Sequence, residues 1–295
     1  MIRTVYEILI EDFTTVDAYW GIRRVQDIAE KADLDCFPVS DNGKIIGILT
    51  RRDMMTAHPN RIVLDAMSGN CEYIGASESI WKAKELFDAS GVDILVVTER
   101  KKNIGIVTKS AVAEEICKHM DLLTGLYKSS YVFYNAFNIL EQGREISIIF
   151  FDVNNFGQIN KEYGHTIGDQ ILQDITKILK DNTPDNAFLC RYGGDEFALL
   201  TDQCTEASEE MAKKILEKIN DHKFCEVTNI SVAAGIAGGK RRYTKKENLN
   251  ESITKLINIA SLASTKAKKV KKNLVLGYSG FIDHPSKIAI NSLIG

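Results

Sequence analysis

Apolar positions in the first 120 residues fall into a pattern that occurs twice. Ile22, Val25, Ile28 and Ala29 are spaced i, i+3, i+6, i+7, which is one face of a helix. A shift of 58 residues lands them, without a gap, on Ile80, Ala83, Leu86 and Phe87. The same shift carries Pro38-Val39-Ser40-Asp41 onto Val96-Val97-Thr98-Glu99, and Gly47-Ile48-Leu49-Thr50 onto Gly105-Ile106-Val107-Thr108. Each copy predicts a helix, a short buried strand, a Gly-containing turn, a second strand, and a helix starting near Thr50 or Thr108. Gapless self-similarity over about 35 positions marks a duplication. Units this small must pack on each other to bury enough surface.

Ala113, Ile116, Met120 and Leu123 continue a helical spacing out of the second copy. With no Gly/Ser/Pro linker behind it, this predicts a continuous helix joining two domains. The texture changes at Asp121-Leu122-Leu123-Thr124-Gly125-Leu126. The expected domains are therefore 1–118, with repeats of about 1–58 and 59–118, and 119–295. In the second, Ile146 to Phe151 is an apolar run of strand length ended by Asp152. An Asp there is either a turn residue or a ligand for a hard cation. Ile167, Ile171, Leu172, Ile175, Ile178 and Leu179 mark one face of a helix, with Asp169 off that face. Two apolar runs around Gly193-Gly194 read as a tight hairpin, with Asp195 and Glu196 as its solvated shoulder. Ile253, Leu256, Ile257, Ala260, Ala263 and Ala267 make the buried stripe of a last helix. Lys268 and Lys272, at i and i+4, are expected to share another face of it. Strands interleaved with helices give an α/β fold class.

Composition narrows the function classes. A chain of 295 residues suits two domains, and 44% hydrophobic with 26% charged residues excludes collagen-like or wholly disordered chains. A net charge of -3 argues against coating nucleic acid through bulk charge. Glu7, Glu11 and Asp12 break up any signal-peptide core in Met1 to Phe13. The run Ile146 to Phe151 is far short of the roughly 20 residues that span a bilayer. Cys36, Cys71, Cys117, Cys190, Cys204 and Cys225 form no CxxC pair and sit mostly in apolar runs. They read as buried, reduced thiols, so a cytoplasmic protein without membrane or nucleic-acid partners is expected.

The block "PVSDNGKIIGILTRRDM" at 38–54 and its weaker copy "LVVTERKKNIGIVTKSAV" at 95–112 resemble a tandem pair of CBS domains covering about residues 1–118. The resemblance implies two βαββα-like repeats whose cleft binds an adenine nucleotide or S-adenosylmethionine, and it implies association of pairs. The family's ribose-binding Thr/Ser-x-x-Asp falls on Thr50 and Asp53. In the second copy Thr108 is present, but Ala111 replaces the Asp, so one such site per chain is implied. Thr50 to Asp53 equally reads as a helix start, Thr capping and the acid offsetting the macrodipole.

"RYGGDEF" at 191–197 is the signature of GGDEF domains, the diguanylate cyclases. "DLLTGL" at 121–126, "FDVNNFGQINKEYGHTIGDQIL" at 151–172 and "ASLASTKAKKVKKN" at 260–273 resemble further motifs of that family, in order, over about residues 119–279. The implied fold is a mixed sheet with flanking helices, related to polymerase palms and nucleotide cyclases. The implied reaction joins two GTP into cyclic di-GMP and releases two pyrophosphates. By motif position Asp152, the Val153 carbonyl and Asp195 hold Mg²⁺ or Mn²⁺, and either Asp195 or Glu196 assists loss of the 3′-proton. Asn160 and Asp169 recognise guanine, Phe156 lies near the nucleotide, and Gly193 and Gly194 let the backbone approach it. Lys268 and Lys272 grip phosphates. Asn154 and Gly157 depart from the usual Asp and Lys, and the Gly157 change removes one phosphate contact. The product-inhibition motif Arg-x-x-Asp is replaced by Pro184 and Ala187, so strong inhibition through it is not expected. One substrate per domain implies a homodimer. The alternatives are a GTP-binding sensor without turnover and a mixed-product cyclase.

Overall fold

The repeat is reproduced element by element. In the computed structural model, which describes residues 3–32, 34, 36–69, 71–224, 227, 230–241 and 249–282, the chain divides into two units, Met1–Lys118 and His119–Gly295. The first unit runs β1 (Val16–Asp17), α1 (Ile22–Ala32), β2 (Cys36–Asp41), β3 (Lys44–Thr50), α2 (Arg51–Thr56) and α3 (Val63–Ala66). It continues with β4 (Glu72–Gly75), α4 (Ile80–Ser90), β5 (Ile94–Glu99), β6 (Lys102–Thr108) and α5 (Lys109–Lys118). The sheets β1-β2-β3 and β4-β5-β6 share one plan, a parallel pair followed by an antiparallel pair. Even the register slip recurs, at Val39/Ser40 and at Val97/Thr98. Ile22, Val25, Phe37, Val39 and Leu49 fill the first lobe, and Ile48, Ile94 and Ile106 cluster with Phe13 and Cys36.

The lobes exchange short segments of chain across the repeat limits. Val5 N donates to Glu78 O at 2.8 Å, Tyr6 N donates to Ala76 O at 3.0 Å, and Ile10 bridges to Ile106. Residues 3–10 thus complete the second lobe. Ser68 bridges to Ile48 and does the same for the first. Both crossings need a bare backbone at the strand they meet: a Cβ on Gly105 would lie 2.7 Å from the Ile10 carbonyl oxygen, and one on Gly47 would collide with that of Ser68.

In the second unit come α6 (Ser129–Glu141), β7 (Ile146–Val153), α7 (Phe156–Tyr163), α8 (His165–Asp181), β8 (Phe188–Gly193) and β9 (Glu196–Thr201). They are followed by α9 (Thr205–Asp221), β10 (Val232–Lys240), α10 (Leu249–Lys269) and β11 (Leu274–Phe281). The sheet order is β11-β10-β7-β9-β8, antiparallel except for β10 with β11. Period-two alternation sorts the central strand onto two cores. Ile149, Phe151 and Val153 pack with Ile171 and Ile175 of α8 and Ile215 of α9. Ile146, Ile148 and Phe150 pack with Val132 of α6 and Leu256 and Ala260 of α10.

Helix α5 stops at Lys118, so the expected continuous helix is not formed. Asp121 closes a turn instead: its carboxylate accepts from Thr124 N at 2.9 Å and Thr124 Oγ1 at 2.6 Å, and Asp121 N donates to Leu126 O. An Asx-type turn outcompetes helical spacing here because the side chain supplies the acceptor locally. The cysteine expectation also needs correction. Cys190 is buried, its thiol pushed up to about 12 by desolvation, but Cys117 and Cys204 are exposed and Cys36 and Cys71 only partly covered. Cys225 lies outside the described residues. Among the described residues no helix is long and apolar enough to cross a membrane.

Candidate active site

Strand β7 does not end at Phe151. It runs through Asp152 and Val153, because Asp152 pairs in the ladder with Glu196 on β9 and Ala233 on β10. Alternation puts Asp152 on the face of Phe150, and Glu196 on the face of Ala198, so the two carboxylates are cross-strand neighbours on one face. Like charges placed so are destabilising, and that cost marks a site built for something else. Burial first, then Asp152 and Asp195, pushes Glu196 above its ordinary range. Asp195, half-buried in the hairpin tip, is raised first by burial and then by Asp152.

From α10, Lys268 reaches this face. Its Nζ lies 2.6 Å from Asp152 Oδ1 and donates to the Val153 carbonyl at 3.0 Å. Two of the oxygens read as metal ligands therefore converge on one cation. Among the described residues no three Asp, Glu, His or Cys side chains are grouped as a metal cluster. Mg²⁺ needs no such cluster, since one or two carboxylates with water and phosphate oxygens suffice. The donor set, all oxygen and already turned toward a positive charge, fits a hard divalent ion.

The β8–β9 hairpin turns on Gly194 and Asp195, with Gly194 at φ +48°. A Cβ on Gly193 or Gly194 would meet nothing within 4 Å, so the space over the hairpin is open. Arg191, to which the sequence reading assigned no role, holds the turn. Its Nε and Nη2 donate to the Gly194 carbonyl at 2.9 and 2.6 Å, and Nη1 donates to Asp121 Oδ1 at 2.8 Å. Burial alone would raise Asp121, but hydrogen bonds from Thr124 and Arg191 hold it below its ordinary value. The signal was the pairing of an Asp opening one motif with an Arg opening another. The Asp195 carbonyl accepts from Val153 N at 3.3 Å, tying the hairpin tip to the end of β7.

The guanine candidates come from α7 and α8 beyond the same strand end. Asn160 Oδ1 is buried without a hydrogen-bond partner, and any Cβ on Gly168 would collide with it. Asp169 follows Gly168 and is exposed. Phe156 is partly buried against the core on that side. Asn154 is anchored: its backbone N donates to Ser231 O at 2.9 Å and its Nδ2 to Ser231 Oγ at 2.8 Å. Gly157 faces open space. Lys272 does not share a helix face with Lys268, which corrects the i, i+4 reading. Helix α10 ends at Lys269, Lys271 turns left-handed at φ 55°, and Lys272 N bonds back to Ala267 O. This is a Schellman-type end, which takes the chain off the helical path.

In the first unit a cleft of about 750 Å³ is bounded by Thr50, Arg51 and Arg52 on one lobe and Thr108 and Lys109 on the other. Phe13, Asp12 and Asp93 are also part of its wall. Asp53 is not among the lining residues. Its Oδ2 accepts from Thr50 N at 2.9 Å and Thr50 Oγ1 at 2.7 Å, while Asp53 N donates back to Thr50 Oγ1. One carboxylate oxygen, Oδ2, is thus engaged in a capping box. Thr108 caps α5 in the same manner, through Ala111 N at 3.2 Å.

Comparison with known proteins shows the family. The profile described as "Diguanylate cyclase, GGDEF domain" matches residues 118–274, just over half of the chain, and the CBS domain profile matches 5–60 and 63–118. Signaling protein YkoW of Bacillus subtilis (strain 168) is 33% identical over 186 residues, 59% of this chain and 22% of YkoW. Diguanylate cyclase DosC of Escherichia coli (strain K12) is 30% identical over 173 residues, 55% of this chain and 36% of DosC. These matches span only about a fifth to a third of the relatives' lengths. The coiled coil and GGDEF domain of DgcB from Caulobacter crescentus, solved with c-di-GMP, superposes with a TM-score of 0.48 at 18% identity, covering 56% of this chain and 88% of that one. With two CBS domains ahead of residue 118 and the signature hairpin beyond it, the chain belongs to the GGDEF-domain family of diguanylate cyclases.

Proposed function

We propose that this chain condenses two GTP into cyclic di-GMP, releasing two pyrophosphates, under control of a nucleotide bound in the first unit. The observation that carries the reading is the convergence of Asp152 Oδ1 and the Val153 carbonyl on a cation, opposite Glu196. When bound there, Mg²⁺ or Mn²⁺ would neutralise phosphate charge and make the 3′-hydroxyl easier to deprotonate. Asp152, the Val153 carbonyl and Asp195 would hold it. Asp195 or Glu196, each raised by burial among like charges, accepts the proton of the attacking 3′-hydroxyl. The Asp169 carboxylate accepts from guanine N1–H and N2–H, a donor pair adenine lacks. Asn160 Oδ1, buried without a partner, offers a further acceptor. Phe156 packs beside the base, the open space over Gly193 and Gly194 admits the phosphates, and Lys268 and Lys272 supply positive charge to them.

Each catalytic domain holds one substrate, so the active species is a homodimer with two such domains facing. The regulatory ligand is an adenine nucleotide or S-adenosylmethionine in the cleft between Thr50 and Thr108, where Arg51, Arg52 and Lys109 suit an anionic group. Its influence is limited to its difference in affinity between two arrangements, commonly about 1–3 kcal/mol. The test is to incubate the purified chain with GTP and Mg²⁺ and separate products by chromatography. Cyclic di-GMP and pyrophosphate are expected. GTP binding without either product, in Mg²⁺ and Mn²⁺ and with added adenine nucleotides, would favour a sensor.

A further inference from the structure

We propose that Lys268 is a built-in competitor of the divalent ion. Its ammonium holds the same two oxygens, Asp152 Oδ1 and the Val153 carbonyl, that the ion must take, and it yields them when metal arrives together with nucleotide phosphates. The proposal rests on the reading of those oxygens as ion ligands.

Both contacts are direct, at 2.6 and 3.0 Å. Mg²⁺ binds its oxygens at about 2.0–2.1 Å along the same lone-pair directions, so ammonium and ion exclude each other. Which partner moves follows from what holds each one. The Val153 carbonyl is fixed on both sides: Val153 N is tied to Asp195 O, and Asn154 is tied twice to Ser231. Asp152 stands within a ladder between β9 and β10, its side chain 15% exposed. Lys268 sits in the last turn of α10 on a flexible four-carbon stem, its side chain 29% exposed. The lysine is the part that swings. Phosphate oxygens give the displaced ammonium new acceptors, which metal ions alone do not. Metal and nucleotide therefore bind with positive coupling, each favouring the other by the same factor.

The experiment is calorimetric titration of Mn²⁺ into the full chain without nucleotide, comparing wild type, Lys268→Met and Lys268→Gln. Lys268→Met keeps the length of the stem, and Lys268→Gln guards against a single misfolded variant. Both neutral variants are expected to bind Mn²⁺ on the order of tenfold more tightly than wild type, the size of a modest ion pair. Adding Asp152→Asn to either should abolish the gain. Equal or weaker binding in both variants, no saturable binding at all, or tight binding that survives Asp152→Asn overturns the proposal. Cyclic di-GMP formation is assayed separately: tighter Mn²⁺ binding in a chain that makes no product would count against the cyclase reading and leave the competition intact.

Discussion

Two motif carboxylates, Asp53 and Asp152, have opposite fates. Asp53 lies at the third position of α2, and its Oδ2 accepts from Thr50 twice, so one of its two oxygens serves its own helix. Asp152 lies in a strand whose backbone bonds are made by neighbours, and among the described residues its carboxylate meets the Lys268 ammonium and stands near Asp195 and Glu196. The difference lies in local supply. At a helix start the backbone presents orphan N–H donors that capture a nearby acid, whereas a strand end gives a side chain nothing local to bind. A carboxylate in the second setting stays available for chemistry.

Four changes would break or sharpen this contrast. The largest effect belongs to Asp152→Asn, which should lower cyclic di-GMP formation by about 10³-fold or more, the scale seen for loss of a transition-state electrostatic group. Retention of more than a tenth of the rate would show that Asp152 is not a ligand of the reacting system. Next, Arg191→Ala frees the Gly194 carbonyl and removes the cation from Asp121. Urea unfolding should show a loss of about 2 kcal/mol, as for hydrogen bonds to a charged group. Asp53→Ala removes half of a capping box and should cost about 1 kcal/mol by the same measurement. In calorimetry it should leave adenine-nucleotide affinity close to wild type, and complete loss of binding would restore Asp53 to the cleft.

The smallest effect concerns Asp195. Its folded carboxyl is raised above the unfolded value, so the folded state binds that proton more tightly. Stability is then lost as pH rises from the unfolded value through the folded one, and at neutral pH the charge is a liability. In EDTA at pH 7, Asp195→Asn should therefore raise Tm slightly, by about 2 °C, while at acid pH the two proteins should converge. A lower Tm at pH 7 would reverse the sign.

The duplication was legible because one copy checks the other: helical and strand spacings agreed at the same 58-residue shift, and so did the lobes. The acidic hairpin was legible for its Gly-Gly pair, although the turn falls one residue later, on Gly194 and Asp195, and the family was legible for four motifs in order. Other features left no local trace. Residues 3–10 complete the second lobe through backbone bonds, which side-chain patterns do not encode. Lys272 was misplaced because i, i+4 counting assumes an unbroken helix, and the left-handed turn falls on Lys271, where no glycine announces it. The end of β7 was set one residue short of Asp152 because a charged residue inside a ladder runs against strand patterning. That conflict is itself what a functional position produces.

The contrast between the two carboxylates is tested most directly by measuring cyclic di-GMP formation by Asp53→Ala and Asp152→Asn side by side, with saturating GTP and Mg²⁺ and no adenine nucleotide, well below both melting temperatures. The account predicts that Asp53→Ala stays within about twofold of wild type while Asp152→Asn falls about 10³-fold. Equal losses in the two variants, or a larger loss in Asp53→Ala, would contradict it.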